Sequence, residues 1–149
     1  MPSIRKATVD DIDFIYHTIY RYPEIRNSIR ADELKREITA GNFVICGTAF
    51  MQYKVYKVKH GIADIGDIKL ELIVDSKHGS GNANVLFDYI NSKLPPNKKI
   101  ISNIRNTNFR SIGWHKKHGF KEIVDVSWAS GSIPGKTYIK GNILQDKMI

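Results

Sequence analysis

The chain has 149 residues, of which 42% are hydrophobic and 26% charged, and 23 Lys and Arg against 15 Asp and Glu give it a net charge of +8. This is the composition of an ordinary globular domain, and one of this length buries enough surface to fold without a disulfide or metal staple. Cys46 is the lone cysteine, which excludes an intramolecular disulfide and fits a reducing compartment.

The opening residues Met1-Pro2-Ser3-Ile4-Arg5-Lys6 lead into Ala7-Thr8-Val9-Asp10-Asp11 with no apolar run. No signal peptide is therefore expected. No later stretch approaches the ~20 apolar residues that span a bilayer, so no membrane partner is expected either. A single domain over residues 1–149, in the cytoplasm, is the expectation. A basic surface attracts phosphate in any form, whether nucleic acid, anionic lipid or a phosphorylated cofactor. The densest basic excess runs from Lys93 to Lys121.

Residues 3–7 read as a short first strand, and Thr8 or Asp10 can cap a helix after it. In that helix Ile12, Ile15, Tyr16 and Ile19 recur at spacings of three and four, which makes one apolar face, and Pro23 ends it. A second helix starts near Ser28 or Asp32, turns Leu34 and Ile38 inward, and has Gly41 just past its end. The period then changes. Residues 42–50 are β-branched and apolar, and residues 51–59 alternate Tyr53, Val55 and Val58 with lysines. A third strand over 67–74 puts Ile68, Leu70, Leu72 and Val74 on one face and Lys69, Glu71 and Ile73 on the other. These three runs read as an antiparallel meander.

A glycine-bearing loop over 75–82 follows, then a helix with Ala83, Leu86 and Ile90 on one side, Val85 and Tyr89 beside them, and Pro95-Pro96 as its stop. A strand over 99–104, a helix over 108–118, a strand over 120–126, a glycine-rich turn over 131–135 and a strand near 136–140 complete the chain. The order β-α-α-β-β-β-α-β-α-β-β implies an α/β sandwich of the α+β kind. It has a mixed, mostly antiparallel central sheet flanked by helices and one βαβ crossover.

Two segments carry chemistry. His78-Gly79-Ser80-Gly81-Asn82-Ala83 lies between a strand and an amphipathic helix. A helix start presents unpaired N–H groups and a partial positive charge, and glycines let a pyrophosphate approach the backbone closely. The same small residues also serve as plain turn chemistry. The second segment is Asn108 through Gly119-Phe120, with Ser111 and His115 between. His115 and His118 stand three apart without a Cys or carboxylate motif, so no zinc site is expected.

The order and these motifs together resemble the GNAT acyltransferases over nearly the whole chain. That family's pyrophosphate loop reads Gln or Arg, two residues, Gly, one residue, then Gly or Ala; Gly81 and Ala83 match, and His78 takes the place of Gln or Arg. The family often continues with Asn, two residues, Ala, three residues, Tyr, three residues, Gly-Phe. Asn108, Ser111, His115, Gly119 and Phe120 occupy those positions here. The loop after Val74 is one residue shorter than the family's usual spacing.

The resemblance implies an enzyme that moves an acyl group, acetyl above all, from acetyl-CoA or another acyl-CoA to a primary amine. It implies that the backbone of Leu72, Ile73 and Val74 holds the pantetheine arm and that residues 78–83 hold the pyrophosphate, with Asn108 and Ser111 also on the cofactor. It puts His115 where the family's general-acid Tyr stands. The alternative for His115 is a solvated helix histidine beside Lys116 and Lys117. Glu71, on the strand face opposite Leu70 and Leu72, is the candidate base, its alternative being an ion pair with a neighbouring lysine; Asp67 is a second candidate. Arg105, Arg110, Lys116 and Lys117 lie near the expected cofactor edge. Two other functions stay open at this point, a nucleic-acid-modifying or nucleic-acid-binding relative and a non-catalytic module. A homodimer is a matter of family analogy.

Overall fold

The computed structural model describes residues 3–23, 25–26 and 29–141, and Ser28 lies outside them. Among the described residues there are seven strands and four α-helices. The strands are β1 (Ile4–Lys6), β2 (Phe43–Cys46), β3 (Ala49–Val55), β4 (Ile68–Asp75), β5 (Lys99–Arg105), β6 (Lys121–Trp128) and β7 (Ile133–Gly141). Their order in the sheet is β1-β2-β3-β4-β5-β7-β6. The sheet is mixed and mostly antiparallel, as the sequence implies. By contacts the chain divides into two compact units, Met1–Tyr53 with Glu71–Ser92, and Lys54–Leu70 with Lys93–Ile149.

In the first unit the Thr8 hydroxyl accepts from the Asp10 N–H at 3.3 Å and the Asp11 carboxylate accepts from the Thr8 N–H at 2.8 Å. This reciprocal cap opens a 3₁₀ turn, Val9–Asp11, which leads into α1 (Ile12–Arg21). Ile15 and Ile19 of α1 are buried and Ile12 and Tyr16 pack beside them; α2 (Ala31–Thr39) buries Leu34 and Ile38 in the same cluster. Phe43, Ile45 and Phe50 complete that core.

The strands here differ from the expected division at Phe50. The chain reverses at Gly47-Thr48, and Phe43 faces Gln52 while Cys46 faces Ala49. The run is apolar on both sides of the turn, so periodicity shows no break there and Gly47 is the sole marker. Cys46 is wholly buried, and burial pushes its thiol up. In α3 (Asn82–Lys93) the buried apolar residues are Leu86, Phe87 and Ile90, with Val85 and Tyr89 half-buried.

In the second unit β4 and β5 run parallel, with Ile68 opposite Ile100, which is the expected crossover. The buried Asp67 anchors the head of this pair. Its carboxylate accepts from the Asp64 N–H at 2.8 Å and the Lys99 N–H at 3.1 Å, and the Lys99 ammonium lies 2.7 Å away. Burial alone would raise the Asp67 carboxyl, but the hydrogen bonds and charge of Lys99 and the Asp64 N–H outweigh it and hold it below its ordinary value. An anion spent in this way is a strut and a poor proton acceptor, so Asp67 is set aside as a base.

β7 pairs antiparallel with both β5 and β6. Gly135 does not end a turn, as its neighbours Gly131 to Pro134 suggest, but lies inside β7 opposite Arg105 and Val126. A Cβ there would strike the Ile104 carbonyl and come 2.6 Å from the Trp128 ring. The glycine is a packing requirement, and for that reason a turn reading of its sequence fails.

Candidate functional site

The glycine loop joins the end of β4 to the start of α3 in the first unit. Gly79 and Gly81 have φ of +82° and +85°, a region that favours glycine, and a Cβ at either would meet nothing within 4 Å. The space above both is open. Among the described residues the N–H groups of Gly79, Gly81 and Ala83 have no acceptor. Three donors at the head of a 12-residue helix, α3, make a fitting cradle for an anion.

The loop's other polar groups bond to one another and to Thr48. Asp75 accepts from Thr48 Oγ1 at 2.7 Å and the Lys77 N–H at 3.0 Å, and its second oxygen accepts from the Ser80 hydroxyl. The Ser80 oxygen accepts from the Asn82 N–H at 3.1 Å, and the Asn82 amide donates to Thr48 Oγ1 at 3.1 Å. His78, exposed at the lip of the loop, has its Nε2 3.1 Å from the Tyr22 hydroxyl, and the two rings meet edge to face at 5.7 Å. Upstream on β4, Val74 is buried, while Glu71, Leu72 and Ile73 are half-buried. Glu71, Leu72, Ile73, Val74 and residues 78–83 thus all fall in the first unit.

Asn108, Ser111 and His115 come together in the second unit, on α4 (Phe109–Lys117). The Asn108 side chain accepts from the Ser111 N–H at 3.2 Å and so caps the helix. His115 Nδ1 lies 2.7 Å from the Ser111 carbonyl and 3.2 Å from its hydroxyl. A carbonyl can only accept, so Nδ1 carries the proton and Nε2 is bare.

His115 is 2% exposed, which overturns the solvated alternative. Its ring packs edge-on to Phe120 at 4.7 Å and near Tyr138, and among the described residues Nε2 has no hydrogen-bond partner. Burial, helped by the nearby His118, drives its pKa down to about 4 against the pull of the Ser111 carbonyl. The sequence hides this burial because Lys116 and Lys117, next in line, are exposed. Trp114 is half-buried and stacks on His118 at 4.2 Å.

Sequence reasoning missed Thr48 and Tyr22. Both reach the loop from far along the chain, through contacts with Asp75 and His78 that span 27 and 56 residues. No local pattern could have marked them. Asp75 carried one faint signal, a carboxylate at the last position of a strand before a Ser and glycine loop.

No protein-family model matches the sequence, and no curated protein matches it. Solved structures do match. A GNAT-family acetyltransferase from Bacillus cereus is 24% identical, with 96% of this chain and 99% of that chain covered and a TM-score of 0.70. Ard1 from Thermoplasma volcanium is 17% identical over 93% of this chain and 95% of its own, with a TM-score of 0.70. The ribosomal-protein-S18-alanine N-acetyltransferase of Escherichia coli is 13% identical over 93% and 92%, with a TM-score of 0.67. The likeness extends over nearly the full length of each chain, and the fold of this protein is the GNAT acetyltransferase fold.

Proposed function

We propose that the protein is an N-acetyltransferase that uses acetyl-CoA and a primary-amine acceptor, in a reducing, cytoplasmic setting. The observation that carries the reading is the glycine loop: three backbone N–H groups without an acceptor among the described residues, beside two glycines whose Cβ positions are open, at a strand-to-helix junction of a GNAT fold. The residues present suit a pyrophosphate, because the donors are backbone, fixed, and assisted by the start of α3. Acetyl-CoA, when bound, supplies the activated acyl carbonyl. The β4 backbone at Leu72–Val74 would orient it.

Glu71 is assigned the base. It takes the proton that the attacking amine must lose as the C–N bond forms and the C–S bond breaks, directly or through water. The departing sulfur then takes a proton. His115 can deliver one only after Nε2 has acquired it, and with a pKa of about 4 the imidazolium is about one part in a thousand at pH 7. The acid role of His115 is proposed on that condition.

Calorimetry with CoA and acetyl transfer to a panel of amines test the reading. Gly81→Glu, which fills the open space with a like charge, abolishes CoA binding in a folded protein; Glu71→Gln keeps the binding and lowers turnover by about a hundredfold or more. Full CoA affinity in Gly81→Glu, or normal turnover in Glu71→Gln, removes the corresponding assignment.

A further inference from the structure

Beneath the glycine loop the side chains close a ring. Thr48 donates to Asp75, Ser80 donates to Asp75, Asn82 donates through its backbone to Ser80, and the Asn82 side chain donates back to Thr48. The Thr48 carbonyl adds two more bonds, from the Ser76 N–H at 3.0 Å and the Ser76 hydroxyl at 2.9 Å. The ring thus fastens the end of β4, the loop and the first residue of α3 to the tip of the β2–β3 hairpin.

The ring has an electrostatic oddity. Asp75 brings a carboxylate to the foot of a site read as binding an anion. A negative charge there repels pyrophosphate, so attraction is not what the carboxylate contributes. What it does contribute is three accepted hydrogen bonds, from the Lys77 and Ser80 donors of the loop and the Thr48 hydroxyl of the hairpin. With those donors spent on the ring, the Gly79, Gly81 and Ala83 N–H groups are the ones left without an acceptor among the described residues.

We propose that Thr48 and Asp75 are positioning residues for the anion cradle, with the β2–β3 hairpin serving as the fixed post against which the loop is held in its binding conformation. The proposal rests on the acyl-CoA reading of the loop. Without the ring the loop samples other conformations, and the apparent dissociation constant rises by the inverse of the competent fraction.

Thr48→Val is the decisive variant. It keeps shape and net charge while it deletes the hydroxyl that donates to Asp75 and accepts from Asn82, so any change in affinity is not a Coulomb effect. Calorimetry with CoA should show Kd raised about tenfold, the order of one net hydrogen bond's worth of loop order. Amide exchange at residues 79–83 should accelerate in the ligand-free variant, and Thr48→Ser should restore both. Unchanged Kd and exchange in Thr48→Val overturn the proposal. So does an equal loss in Thr48→Ser, which would trace the effect to packing in the turn. Wild-type protein with no affinity for CoA overturns the cofactor reading itself, and the brace with it.

Discussion

His115 is the residue whose chemistry departs most from its free form. Its pKa in the folded chain, about 4, lies below its ordinary value of 6.5. The unfolded state therefore binds the extra proton between these limits, and the fold is favoured by the neutral ring. The stabilisation is complete above about pH 6.5 and is lost as pH falls toward 4, and its size is on the order of 3 kcal/mol. Asp11, held low first by its hydrogen bond from Arg5, and Asp67 pull the same way at lower pH. The histidine's share is thus read from a difference: urea unfolding between pH 4.5 and 7 should fall less steeply with acid in His115→Phe than in the wild type. Equal slopes would mean that His115 meets solvent. A position like this is not legible from sequence, because it is the ring's seat against Phe120 and Tyr138 that buries it, and neither contact has a helical spacing.

At the scale of elements, the local rules were sufficient wherever a period ran long enough. Ile12, Ile15, Tyr16 and Ile19 gave the inner face of α1, and Leu34 and Ile38 that of α2. The parallel step from β4 to β5 was legible as well, because a helix must intervene between parallel neighbours. The rules failed where glycine had two meanings. Gly47 marks the turn between β2 and β3 inside an unbroken apolar run, while Gly135, in what reads as a turn, sits under Trp128 in mid-strand.

The Gly135 case makes a quantitative demand. The Trp128 ring can swing away, but the Ile104 carbonyl belongs to the backbone of β5, the paired strand. Gly135→Ala must therefore push β7 off β5. It should cost about 2 kcal/mol, seen as a lower urea midpoint with an unchanged slope. A loss within experimental error would mean that the two strands have slack at this point.

For the whole molecule the open quantity is charge. The net +8 exceeds what a single cofactor's phosphates need. Arg110, Lys116 and Lys117 are exposed on α4, and an exposed basic surface attracts phosphate of any source. Salt then separates a small amine from a nucleic-acid acceptor. For the amine, acetyl transfer should weaken with salt only through the KM for acetyl-CoA, with a flat KM for the acceptor. For nucleic acid, the acceptor KM would climb steeply as counterions compete. A flat acceptor curve is the expected result, and a steep one would transfer the assignment to nucleic acid. Among the described residues no helix is long and apolar enough to cross a membrane.

Cys46 gives the molecule a clock of its own. The thiol is sealed on β2, two residues before Thr48, and burial raises it away from the reactive thiolate. A thiol reagent can reach it only in the moments when the hairpin parts from its neighbours, so the rate of labelling measures how often that happens. Since no second cysteine competes for the reagent, the signal belongs to one place in the chain. Anything that settles on the loop and tightens its hold on the hairpin slows the clock, and occupancy of the cradle becomes visible without a chromophore, an acceptor or a turnover.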